Sequence, residues 1–124
     1  VNPPSWNQFF GRKGERIAKR HLRREGYQIL HASYRTPFGE IDLIARRGDV
    51  LSFVEVKTRR PGPFGDPLEA ITSRKLEHLT KAAECFLLHH PQYRKDYYLL
   101  FEAIAVSKDG KKTNVLKVPI SIGY

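Results

Sequence analysis

From Trp6 to about Glu25 the apolar positions recur at helical spacing. Phe10, Gly14, Ile17, Ala18, His21 and Leu22 share one arc, and Arg12, Arg16, Lys19, Arg20, Arg23 and Arg24 crowd the opposite one. Ser5 with Gln8 has the form of a capping box and Gly26 suits a helix end, so this stretch is predicted as a first helix. The period then shortens to alternation. Tyr27 to Arg35, Glu40 to Arg46 and Val50 to Arg59 are predicted as a three-stranded meander, turning at Thr36-Pro37-Phe38-Gly39 and at Gly48-Asp49. Pro61 to Pro67 is predicted as a loop. Asp66, Pro67 and Glu69 then supply a cap, a first-turn proline and a capping-box acid for a second helix. A break is expected near Thr72-Ser73, after which Leu76, Leu79, Ala83, Phe86 and Leu87 carry a helical stripe to Pro91. Tyr97 to Ser107 and Thr113 to Ile122 are predicted as strands joined at Asp109-Gly110, giving the order αβββαββ.

A chain of 124 residues without repeats or an internal linker is expected to form one domain over residues 1–124. That length can bury a sizeable core, and the single cysteine, Cys85, rules out a disulfide framework. Lysine and arginine number 22 against 13 acids, for a net charge of +9, which favours polyanionic partners such as nucleic acid. The longest apolar stretch, Tyr97 to Val106, is interrupted by Glu102 and falls short of the ~20 residues a membrane span needs. With no signal-like segment at its start and a lone thiol, the expected location is cytoplasmic.

The informative chemistry lies in Gly39-Glu40-Ile41-Asp42-Leu43-Ile44 and Phe53-Val54-Glu55-Val56-Lys57. If Gly48-Asp49 closes a two-residue hairpin, Arg47 faces Val50, and the same register sets Asp42 opposite Glu55. Opposed residues share a face with Cβ atoms ~4.5 to 5.5 Å apart, and alternation brings Lys57 to that face. A Glu-x-Lys pair on a strand is ordinarily a solvated ion pair. The opposed Asp42 sets this one apart, because like charges there need a cation. A hard divalent ion such as Mg²⁺ or Mn²⁺ fits two carboxylates, waters and a phosphate oxygen.

The cationic face of the first helix, including Arg12, Arg16, Lys19 and Arg20, joins Arg46, Arg47, Arg59 and Arg60 as candidate contacts to a nucleic-acid backbone. Nothing in the sequence resembles a base-reading helix, so backbone or shape is the expected target. His21 reads as a core histidine without an acid partner, His89-His90 as helix-end residues, and Cys85 as a structural thiol. Tyr97, Tyr98 and Phe101 read as core and edge packing.

At these motifs the chain resembles the YraN-like family, small bacterial proteins of the restriction-endonuclease-like, or PD-(D/E)xK, superfamily. The resemblance runs from Gly14-Glu15, Ala18 and Gly26-Tyr27 through both carboxylate motifs to Thr58-Arg59, Lys75 and Ala82-Ala83. Ile41 stands where the superfamily signature has proline, Ser33 where the family tends to have asparagine, and Glu102 where it tends to have aspartate. The resemblance implies an α/β fold with an αβββαβ core, its mixed central sheet flanked by helices. It further implies Asp42 and Glu55 as metal ligands and Lys57 beside the scissile phosphate. The chain is also similar to archaeal Holliday-junction resolvases, a likeness that implies Glu15 as a further acid helping to hold metal or water. Glu15 lies at the edge of the apolar arc near Leu22, which agrees in part.

The expected function is a metal-dependent DNA endonuclease, or nuclease-fold protein, acting in repair or recombination on DNA that includes branched or flapped forms. RNA stands as an alternative ligand and a homodimer as an open oligomeric expectation; no membrane partner is expected. The alternatives are a non-catalytic nucleic-acid-binding module and an assembly partner using the same fold, since fold does not imply turnover.

Overall fold

The computed structural model describes residues 6–59, 71–109 and 111–120, and of residues 6–11, 59 and 109 the backbone only. Helix α1 (Trp6–Arg24) is followed by strands β1 (Gln28–Thr36), β2 (Gly39–Arg47) and β3 (Val50–Arg59), helix α2 (Ser73–His89) and strands β4 (Tyr98–Asp109) and β5 (Lys112–Pro119). The strands form one sheet in sequential order, antiparallel except where β3 and β4 run parallel. This mixed α/β architecture contains the αβββαβ core expected from the sequence.

Each helix covers one face. Ala18 and Leu22 of α1 pack on Leu43, Val54, Ile104 and Val106, whereas Leu79, Ala83 and Phe86 of α2 pack on Ile44, Leu51 and Phe53. The run Leu51-Ser52-Phe53-Val54 is buried on both faces, as suits a strand sandwiched between helices. The α2 side is lined with aromatics: Phe86 stacks on His90 and Tyr93 and meets Tyr34 and Phe53 edge-on. Tyr97 and Phe101 join this core, while Tyr98 is exposed.

Local chemistry explains the boundaries. Gly26, at φ +92°, ends α1 with paired bonds from Tyr27 N–H to the Leu22 carbonyl (2.9 Å) and from Gly26 N–H to that of Arg23 (3.0 Å). Gly48 takes φ +59° in the two-residue turn, and every described β2–β3 pair from Arg47↔Val50 to Leu43↔Val54 keeps the register that turn dictates. The Thr72 hydroxyl accepts from Lys75 N–H at 3.1 Å, so the break expected near Thr72-Ser73 is a helix start. The predicted loop at 61–67, the cap at Asp66, Pro67 and Glu69, and Gly110 of the last turn lie outside the described residues. His89 and His90 each bond a carbonyl one turn back, as helix-end residues do.

His21 requires correction. It is half-buried at the helix surface, and its Nε2 lies 3.0 Å from the Glu25 carboxylate one turn on, a partner whose i, i+4 spacing was visible in the sequence. Glu25 belongs to a polar network toward the Arg47 end of the sheet. Lys117 Nζ reaches Glu25 at 3.0 Å and Glu102 at 3.7 Å, and Ser52 Oγ donates to Glu102 at 2.7 Å. Glu102 thus interrupts an apolar run without being an unpaired buried charge. Burial would push the Glu25 carboxyl up, but the hydrogen bond and charge of Lys117, with the charges of His21 and Arg47, together hold the group below its usual value.

Gly14 sets the closeness of α1 to the sheet. A Cβ there would lie 2.1 Å from the Thr58 Cγ2 methyl and 3.6 Å from Thr58 Cβ. Gly14→Ala should therefore cost about 1 to 3 kcal/mol in urea unfolding, and Thr58→Ser, which removes that methyl, should restore most of the loss in the double variant. Equal losses in the single and double variants would contradict this account.

Candidate metal and phosphodiester site

The site forms where the β2–β3 ladder runs out. Regular pairing stops at Leu43↔Val54, and one step on, the Asp42 carboxylate accepts the Val56 backbone N–H at 2.8 Å. The side chain thereby satisfies a donor that the ladder would otherwise engage. The opposite flank of β2 is irregular at the same point. The β1–β2 register pairs Ala32 with Leu43 and Tyr34 with Ile41, leaving Ser33 across from Asp42 with φ +54°, a left-handed conformation costly for serine. Ile41 and Ile44, three residues apart, both pack beneath α2, so strict alternation also breaks around Asp42.

Glu55 is buried at 7% exposure on the α2 side. Its Oε1 lies 3.5 Å from Lys57 Nζ, as the strand alternation predicts, and 2.6 Å from Lys75 Nζ in the first turn of α2. Sequence reading missed Lys75 as a site residue. One signal could have found it: a lysine in a helix's first turn opposes the helix dipole, and α2 has no acid in that turn to offset it. Gly39, Glu40, Glu55, Lys75, His78 and Leu79 line a hollow of about 130 Å³, large enough for water.

These groups perturb one another. Burial, then the charge of Glu55, pushes the Asp42 carboxyl up to about 7 despite the Val56 hydrogen bond, and Glu15 adds to the rise. Glu15 is itself raised, chiefly by burial, with Glu40 and Glu55 contributing against Lys19. Burial and contact with Lys75 lower the Lys57 ammonium; burial would lower Lys75 too, but the hydrogen bond to Glu55, contact with Lys57 and the charges of Glu55 and Asp42 together hold it above its usual value. Three acids and two lysines thus act on one another here, with the Asp42 carboxyl raised and the Lys57 ammonium lowered.

Asp42 and Glu55 form the donor set a magnesium-like ion ordinarily takes from protein, with water and phosphate oxygens completing its shell. Among the described residues, no three His, Cys, Asp or Glu side chains are grouped to hold a metal ion, and Glu15 acts on Asp42 through its charge. The candidate backbone contacts are spread out. Arg12, Arg16 and Arg20 are exposed on α1 and Lys19 is partly so. Arg46 and Arg47 sit at the hairpin end. Arg46 donates to the Tyr97 hydroxyl at 3.3 Å; Arg47 donates to the Glu25 carbonyl at 3.0 Å and covers the Tyr27 ring. About five residues of strand, or ~17 Å, separate them from Asp42. Arg60 and the Arg59 side chain lie outside the described residues.

An aspartate that titrates near 7 when folded, against an ordinary 3.8, weakens the fold progressively as pH rises through that interval. Asp42→Asn keeps an acceptor for Val56 and removes the charge. Without divalent ions it should match the wild type near pH 4 and exceed its stability by ~2 to 4 kcal/mol above pH 7, read by urea unfolding across pH. A pH-independent difference would refute the coupling.

The sequence profile of the uncharacterised protein family UPF0102 matches residues 14–106, a span covering Glu15, Asp42, Glu55, Lys57 and Lys75. Similar proteins named as members include one from Chloroherpeton thalassium, 42% identical over 113 residues (91% of this chain and 86% of the relative). Another, from Syntrophomonas wolfei, is 41% identical over 106 residues (85% and 90%). A third, from Caldicellulosiruptor saccharolyticus, is 44% identical over 96 residues (77% and 80%). The YraN-like resemblance of the motifs is consistent with these matches, and the chain belongs to the UPF0102 family.

Proposed function

We propose that this protein is a metal-dependent endonuclease that hydrolyses phosphodiester bonds in DNA during repair or recombination. The observation that carries the reading is the half-buried Asp42 carboxyl, bonded to Val56 of β3 and raised by burial and by the charge of Glu55, at the strand end that also presents Lys57. Such a pair gains most from a divalent cation, and a basic chain of net charge +9 attracts the polyanion to be cleaved. When bound, Mg²⁺ or Mn²⁺ would polarise a phosphoryl oxygen and lower the pKa of a coordinated water. Asp42 and Glu55 would hold the ion and Glu15 would help retain water. Lys57, its ammonium destabilised by burial and by Lys75, would exchange a proton with the attacking water or bond the charged phosphoryl oxygens. Lys75 anchors Glu55 and sets its position.

A specific observation favours a second reading, a nucleic-acid-binding module without turnover: Glu55 Oε1 is already matched by Lys75 at 2.6 Å. Incubation with single-stranded, flapped and four-way-junction DNA plus Mg²⁺ or Mn²⁺ separates the two. The nuclease reading predicts cleavage that falls by about 10²-fold or more in Asp42→Ala and Lys57→Ala while DNA affinity changes little. Tight binding by wild type without cleavage of any substrate would leave the module in its place.

A further inference from the structure

A second charged feature lies on the other flank of α1. Lys13, Arg20 and Arg24 of the helix converge with Lys108 at the end of β4 and Lys111 of the following turn around a groove of about 320 Å³. Ile17 and Val115 are among its apolar lining, and no carboxylate lines it among the described residues. A solvated cationic face spreads its charges outward; here three separate segments turn theirs toward one space. The lysines crowd enough that contact with Lys108, followed by its charge, lowers the Lys13 ammonium. One-signed clefts with low-dielectric walls focus the field and concentrate counter-ions of opposite sign.

We propose that this groove seats the phosphate backbone of a nucleic-acid strand that continues across α1 to the Asp42–Glu55 site. Continuity with that site rests on the nuclease reading above. The path between them runs over α1: Lys13 lines the groove, and Glu15, two residues on, lies within the field of Glu55 and Asp42. Glu55 and Lys57 face α2 whereas Lys108 faces α1, so the strand passes the end of the sheet from one face to the other. A chain of backbone contacts without base contacts positions a strand and leaves its sequence unread.

The test is fluorescence anisotropy of labelled single-stranded and duplex oligonucleotides, in EDTA, over a salt series. Lys108→Ala/Lys111→Ala should weaken binding uniformly across sequences and reduce the log–log salt slope by about 2. Arg94→Ala/Lys95→Ala, the same charge change at the opposite end of the sheet, should leave the slope unchanged, with thermal melting confirming that both variants fold. Equal effects from the two pairs, or none from the groove pair, overturns the proposal. Wild-type affinity for polyglutamate equal to that for the oligonucleotides would overturn it too, by making the groove a general polyanion or acidic-protein seat. Binding without divalent ions is independent of turnover, so a failed groove leaves the nuclease reading standing and an absence of cleavage leaves the groove result intact.

Discussion

Two carboxylates held across neighbouring strands repel each other, and here the repulsion is concentrated by burial. Asp42 lies one step beyond the last regular β2–β3 pair, where its carboxylate accepts a backbone N–H of the very strand that carries Glu55. The chain cannot relieve the conflict by rotating Asp42 away without orphaning the Val56 donor. Local protein cations answer it only partly: Lys75 and Lys57 both meet Glu55, while Asp42 is still pushed up to about 7. A retained proton, or on the proposed nuclease reading a hard cation, would complete the balance, so the electrostatics of the site follow from the geometry of one hairpin.

The rest of the fold holds that hairpin end in place. Gly14 lets α1 approach Thr58 closely enough to bring Glu15 within the field of Asp42, and Thr72 starts α2 where Lys75 can reach Glu55. Apolar layers on both faces of the sheet make the frame stiff. Toward the Arg47 end, Lys117 pairs with Glu25 and Glu102, Ser52 donates to Glu102, and Arg47 ties the end of α1 to the hairpin. One end of the sheet pairs its charges in ion pairs, whereas the other sets two carboxylates against each other, the kind of local inconsistency expected at functional sites.

The β2–β3 register was legible because a two-residue turn with glycine first admits one pairing, and a one-residue slip would have sent Phe53 and Leu51 to the wrong face. The element order was legible from changes of spacing, helical to alternating at Gly26 and back to helical from Leu76, although the start of α2 at Thr72 was expected only as a break in a helix begun at Asp66. What stayed hidden came from tertiary meetings. Lys75 reaches Glu55 only through the packing of α2, and the left-handed conformation of Ser33, across from Asp42 in a stretch where β1 and β2 keep one register, has no signal in the sequence. The pairing of Lys117 with Glu25 and Glu102 joins distant segments, and no pattern within any one of them indicates it. The convergence of Lys108 and Lys111 on the α1 cations was hidden in the same way, since it needs the final hairpin folded against the helix.

The most direct measurement is a titration of the Asp42 side-chain carboxyl by carbon-13 NMR, with and without Mg²⁺. The account predicts an apparent pKa of about 7 in the ion-free protein and a clear downward displacement when the ion is added, since a ligating carboxylate must be unprotonated. An Asp42 that titrates near 3.8 in both conditions would contradict the account at its centre.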